Sequence, residues 1–237
     1  MFLFNFNPLG GLLAVSEQAT KIVTYISICA AILLFIVIAL ICIKGNKQYD
    51  ARRIAFAGVT LGLSFVLSYA KFSPVTSGGS VTLASMVPLL IYAYVYGVTE
   101  GLLVGLIFGL LNFISGPWIL TPMTFVLDYL LAYGSIGLMG FASKLFKNKD
   151  SVALQTLVGV LIVYLARFCF HLFSGFIYFA ENSIWVEFPE WALANGFIYS
   201  FIYQCLYLPL DCLISAVCFV ILAKTKVLEK LRRALKK

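Results

Sequence analysis

The sequence predicts an all-α integral membrane protein, and three observations carry that prediction. Of its 237 residues, 62% are hydrophobic and only 11% are charged, whereas a soluble domain averages about 25% charged residues. The apolar residues come in long runs, and crossing a bilayer core as a helix takes about 20 such residues. The basic residues, finally, are gathered between the runs and in the tail rather than spread over a surface. A chain of this length has room for one membrane domain and no separate soluble one.

Seven apolar segments follow one another, over residues 22–43, 54–69, 81–95, 101–114, 122–141, 152–178 and 191–223. The last two are long enough to tilt. Pro88, Pro122 and Pro209 interrupt helical patterns and are expected to kink them. The first segment has no positive n-region before it and no small-residue cleavage site after it, so it is expected to stay as a span rather than be cleaved as a signal.

Orientation follows from the loops. Lys44, Lys47, Arg52 and Arg53 lie between the first two segments, and Lys144, Lys147 and Lys149 after the fifth. Lys224, Lys226, Lys230, Arg232, Arg233, Lys236 and Lys237 form the tail. With seven spans these regions share one side, which the excess of Lys and Arg assigns to the cytoplasm. The N-terminus is then outside and the C-terminus inside. The formal charge of +7 is a topology signal, and no aromatic-basic surface motif accompanies it to suggest nucleic acid. Residues 224–237 alternate basic and apolar, which suits either an amphipathic helix on the inner leaflet or a solvated positive stop.

Ionisable residues inside spans are costly and face a cavity or a partner. They are Asp128, Arg167, His171 and Asp211, and His171 is the only histidine in the chain. Arg167 and His171 stand at i and i+4 on one helix face. Arg167 can neutralise either Asp128 or Asp211. In the last span Tyr199, Tyr203 and Tyr207 form one stripe, with Ser200, Gln204 and Asp211 beside it. Tyrosines near span ends often anchor at the interface. A carboxylate, an imidazole, an amide and several aromatics in the outer halves of three spans suit a pocket for a small polar aromatic ligand. A cationic ligand gains from the aromatic faces as well. The six cysteines lie in apolar stretches without CxxC pairs and imply no metal site. There is no GxxxxGK[ST] phosphate loop and no repeated half of the sort many secondary carriers show. In IAFAGVTLGLS (54–64), Ala55, Gly58 and Gly62 make a small-residue stripe that lets another helix approach. That helix belongs either to this bundle or to a partner.

Five pieces of the chain, in order, resemble one family. They are GGSVTLASMVPLL (78–90), GLLVGLIFGLLNFISG (101–116), LDYLLAYGSIGLMG (127–140), RFCFHLFSGFIYF (167–179) and YSFIYQCLY (199–207). The family is that of the thiamine-specific S components (ThiT/YuaJ-like) of energy-coupling factor (ECF) transporters, and the resemblance covers residues 52–223. It implies a six-helix S-component bundle, here with one extra N-terminal transmembrane helix. The domains are then 1–50 (external N-terminus, extra helix and cytoplasmic loop), 51–223 (the substrate-binding membrane domain) and 224–237 (a basic cytoplasmic tail).

The resemblance also implies a high-affinity thiamine-binding subunit in a bacterial cell membrane. Its partners are the membrane subunit EcfT and two cytoplasmic ATPases that power uptake. Thiamine is the transported ligand, no cofactor is implied, and the chain is no enzyme. A loop near residues 71–80 closes over the pocket. Residue by residue, the resemblance gives Asp128 and Tyr129, His171, Tyr178 or Phe179, Tyr199 with Tyr203, Gln204 and Phe108 to the ligand. It gives Ala55, Gly58 and Gly62 to the docking of EcfT.

The chain departs from the family in places. The family often has Asn at Gln204, some members have Glu at Asp128, and Trp occurs at Phe108 and Phe179. The loop after Phe179 is longer here, and the family's Ala-rich docking pattern carries glycines. These changes leave open a related ligand, such as the hydroxymethylpyrimidine precursor. The readings from other classes are a stand-alone secondary carrier and a membrane enzyme using His171 and Asp128 in proton transfer, for which no nucleophile or metal-ligand cluster appears.

Overall fold

The computed structural model of the protein describes residues 50–72, 79–116, 122–145, 152–181, 191 and 195–235. The expected first span at 22–43, most of the loop at 71–80 and the basic residues Lys44, Lys47, Lys147 and Lys149 lie outside them.

The described chain is helical apart from one small hairpin. Helix α1 is Ala51–Tyr69, capped by the Asp50 side chain, which accepts from the Arg52 N–H. Strand β1, Lys71–Phe72, pairs antiparallel with β2, Val81–Thr82. Helix α2 is Met86–Tyr96 and α3 is Val98–Ser115. Helix α4 is irregular and runs through Pro122–Thr124, a π-helical Phe125–Leu131, Ala132–Gly134, a 3₁₀ turn Ser135–Leu138 and Met139–Leu145. Helix α5 is Val152–Glu181, α6 is Gly196–Lys224 and α7 is Val227–Leu235. Among the described residues five helical stretches are long and apolar enough to cross a membrane, and α2 is a shorter apolar one.

The expected segment at 81–95 is corrected at its start. Val81 and Thr82 are strand, not helix. Asp211 Oδ1 accepts from both the N–H and the hydroxyl of Thr82, at 3.3 and 3.1 Å. Those bonds hold the segment extended, and the helix starts only at Met86. Its 11 residues span about 16 Å at 1.5 Å per residue, about half of a hydrocarbon core. Gly97, at φ 107°, then breaks the path between α2 and α3. Pro88 sits in the first turn of α2 and Pro122 begins α4, where a missing N–H costs nothing. Pro209 alone is inside a helix.

Helix α3 packs against α4 through glycines. A Cβ on Gly105 would lie 2.2 Å from the carbonyl oxygen of Tyr133, and one on Gly109 would lie 2.1 Å from that of Tyr129. Only glycine lets the backbones come this close, so the Gly-rich pattern at 101–116 is a packing surface for α4. The core beside it holds Leu89, Leu90, Val104, Phe108, Ile136, Met139, Val160 and Val163.

One end of the bundle collects basic residues. The Arg53 guanidinium lies 5.5 Å from the centre of the Tyr96 ring, and that of Arg232 lies 5.6 Å from Tyr94. The Tyr94 hydroxyl bonds Gln155 Oε1 at 3.3 Å. The starts of α1 and α5, the end of α2 and the tail helix α7 therefore meet at one end. Leu228 of α7 is fully buried there.

Candidate functional site

Helices α5 and α6 each carry a polar stripe, and the stripes face each other. On α5 it is Tyr164, Arg167, His171 and Ser174; on α6 it is Ser200, Gln204, Tyr207, Asp211 and Ser215. The spacings of three and four residues keep each set on one face. With no water available in a bilayer core, each polar group must find a partner in the protein. The antiparallel pairing meets that need for most of these groups. Ser200 Oγ donates to Leu172 O at 2.8 Å, and Gln204 Nε2 donates to His171 O at 3.2 Å. The Tyr164 hydroxyl lies 2.9 Å from Asp211 Oδ2 and 2.8 Å from Ser215 Oγ.

The seam divides into two clusters. Towards the end opposite the basic one, His171 Nδ1 lies 2.7 Å from Asp128 Oδ1, and Ser174 Oγ donates to Asp128 Oδ2 at 2.5 Å. The Asp128 side chain is 26% exposed and that of His171 13%, so the pair is half sunk but reachable. His171 Nε2 is buried and has no hydrogen-bond partner among the described residues. Asp128 sits in the π-helical stretch of α4, an irregularity frequent at functional sites.

Aromatic rings cluster on the helices that carry this pair and on α6 opposite. Tyr129 contacts Phe113 and Phe125 with ring centres 5.5 and 6.2 Å apart. Tyr199 and Tyr203 are stacked, 6.3 Å apart and 23° from parallel, and Tyr203 meets Tyr207 edge-on. The Tyr207 hydroxyl donates to Gln204 Oε1 at 2.5 Å, and its ring lies 6.5 Å from that of His171. Gly79 donates its N–H to the Tyr203 hydroxyl at 2.8 Å, which ties the returning end of the hairpin segment to α6. A Cβ there would meet the Tyr207 ring at 2.8 Å.

The second cluster sits deeper. Arg167 Nη1 pairs with Asp211 Oδ2 at 3.5 Å, both side chains 7% exposed. The guanidinium also lies 5.1 and 5.4 Å from the Tyr133 and Tyr164 ring centres. Of the two carboxylates open to Arg167 in the sequence, the structure selects Asp211. Asp128 takes His171 instead.

Asp128, His171 and Gln204 thus come together, with Tyr203 and Tyr199 following Tyr207 along α6, while Tyr129 packs on Phe113 and Phe125. Phe108 is sealed in the core, edge-on to Tyr133 at 5.2 Å, and belongs with the Arg167 cluster. The side chains of Tyr178 and Phe179 lie outside the described residues. Ser174 is a site residue beyond those expected, and its only signal in the sequence is its place three residues after His171, on the same face. Gly79 gave none, because its role depends on the fold. Ala55, Gly58 and Gly62 are exposed, and nothing lies within 4 Å of a Cβ built on either glycine. Among the described residues, therefore, no helix of this chain packs on the stripe.

Comparison with known proteins gives a family and a fold. Residues 54–230 match the family described as thiamine transporter protein (Thia_YuaJ). Thiamine transporter ThiT of Bacillus subtilis (strain 168) is 30% identical over 161 residues, which are 65% of this chain and 80% of that protein. A solved structure of ThiT from Listeria monocytogenes superposes with a TM-score of 0.63 at 21% identity, over 76% of this chain and 96% of its own. At that identity the likeness concerns the fold.

Proposed function

The chain belongs to the thiamine transporter family (Thia_YuaJ), and from that premise we propose that it is the thiamine-capturing S component of an ECF-type importer. The observation that carries the proposal is the Asp128–His171–Ser174 cluster, with the Tyr207 ring 6.5 Å from that of His171 and the Tyr203 and Tyr199 rings following it along α6. Thiamine is a flat, cationic, aromatic molecule with an aminopyrimidine. Asp128 supplies the negative charge and an acceptor for the amino group, and the tyrosines supply faces that attract a cation. His171 and Ser174 hold the carboxylate in place, and Tyr207 and His171 O hold the Gln204 amide.

Capture and energy supply are separate in this proposal. EcfT docks on the exposed Ala55, Gly58 and Gly62 face, and two ATPases outside this chain drive uptake. The charge distribution supports a cytoplasmic C-terminus and an external N-terminus, because Arg53 and the tail arginine Arg232 cap the same end of the bundle. The binding cluster then opens outwards.

The test is calorimetric titration of the purified, ligand-stripped chain with thiamine, hydroxymethylpyrimidine and riboflavin. Saturable thiamine binding with riboflavin inert is expected. Tight binding of the pyrimidine without thiamine would keep the site and change the ligand; heat from none of them would overturn the proposal.

A further inference from the structure

Helix α7 is amphipathic, and the structure shows where its apolar face goes. Lys226, at φ 55°, breaks the path of α6, and α7 packs against α6 and α2. Leu228 is fully buried there, and Val227, Leu231 and Leu235 are half-buried. The Arg232 guanidinium rests on the Tyr94 ring of α2. A helix that lies in a bilayer by its apolar face needs that face free. Here it is committed to the bundle.

The opposite face is cationic. Lys226, Lys230 and Arg233 stand at i, i+4 and i+7, and all three are exposed. Lys226 belongs to the stripe because its carbonyl accepts from the Lys230 N–H at 3.1 Å. Lys224, also exposed, stands just before it. The carboxylate on α7 is Glu229, which meets Arg233 at 3.6 Å with side chains 40% and 82% exposed, a pair that water screens. It leaves the face positive. The stripe also lies at a defined depth. Ile221 is the last exposed large apolar residue of α6 and marks the edge of the hydrocarbon. Lys226 follows within about 8 Å at 1.5 Å per residue, a distance comparable with a headgroup layer.

We infer that the outer face of α7 is a binding surface for anionic phospholipid headgroups. Lys226, Lys230 and Arg233 present their charges to the headgroup phosphates, while Leu228 and the Arg232–Tyr94 contact hold the helix at that depth. The attraction is electrostatic, because the apolar face is spent on the protein. A solvated positive stop needs no docked helix, and a soluble protein partner needs no charges at headgroup depth. The inference rests on the orientation proposed above only for which leaflet is contacted.

The experiment reconstitutes the purified full chain in phosphatidylcholine vesicles that carry spin-labelled phosphatidylglycerol or spin-labelled phosphatidylcholine. Electron spin resonance reads the fraction of each label that the protein immobilises. A preference for phosphatidylglycerol of about twofold or more, averaged over the perimeter of the chain, is expected, since each basic residue near the surface favours an anionic lipid about fivefold. The triple variant Lys226→Gln, Lys230→Gln, Arg233→Gln changes exposed positions only, so it keeps the fold and should lose most of the preference. In about 1 M salt, where the screening length falls to about 3 Å, the wild-type preference should vanish. No preference, or one that survives in the triple variant, overturns the inference. A preference that outlasts the salt would put an apolar face of α7 in the lipid and overturn it as well. Thiamine titration of the same vesicles reads the ligand assignment separately, so each reading can fail alone.

Discussion

At the scale of single residues, charge pairing decides what each buried group can do. Asp128 is accessible and held by two donors, so it can turn its remaining acceptor capacity to a ligand. We expect Asp128→Ala and His171→Ala each to weaken thiamine binding about tenfold to a hundredfold, the cost of a charge-assisted hydrogen bond, with an unchanged unfolding midpoint. Titration calorimetry checks the first and a melting curve the second; wild-type affinity in both variants would remove them from the site. Asp211 is the opposite case, buried and committed to Arg167, Tyr164 and Thr82. Asp211→Ala leaves a buried guanidinium unpaired and should destabilise the fold by about 3–5 kcal/mol. Replacing both partners with leucine should recover much of that loss, and thermal unfolding of the two variants reads the difference. The polar stripes of α5 and α6 were legible in the sequence, because their spacing is a property of one helix. The partner of Arg167 was not. It depends on the relative depths of α4, α5 and α6, which no single helix encodes.

At the scale of elements, backbone irregularities position the side chains. The π-helical stretch of α4 shifts the register around Asp128, and periodicity reads such a stretch as ordinary helix. The strand at Val81–Thr82 is hidden in the sequence for a similar reason, since an apolar run beside Ser85 carries no sign of the bonds to Asp211. The Gly-rich segment was legible as a membrane helix, but its use was visible only once α4 lay against it. Gly105→Ala drives a methyl group into the Tyr133 carbonyl and should cost about 1–3 kcal/mol, as overpacking does. Gly58→Ala is the control. Its added methyl group meets nothing within 4 Å, so its unfolding midpoint should match the wild type. A Gly105→Ala midpoint equal to that of Gly58→Ala would mean the two helices are not as close as described.

At the scale of the whole molecule, the question is whether this chain can move what it binds. Accumulating a cation against its gradient needs an energy source, and the sequence holds no phosphate loop. Within the described seam the ionisable groups are paired, Arg167 with Asp211 and His171 with Asp128. A surface suited to an outside source of work is the small-residue Ala55, Gly58 and Gly62 face, which no described helix of this chain covers. The prediction is a separation of two activities. Vesicles holding this chain alone should bind thiamine at their outer face and show no accumulation. Vesicles that also hold a membrane coupling subunit and its ATPases should accumulate thiamine when ATP is supplied. Gly58→Leu places a bulky side chain on the proposed docking face, so it should leave affinity unchanged and lower uptake by the complete assembly about tenfold or more, as loss of close small-residue packing would. Accumulation by the chain alone would make it a secondary carrier. Uptake unaffected by Gly58→Leu would move the docking face elsewhere on the bundle, while loss of binding in that variant would mean that α1 shapes the pocket rather than the partner interface.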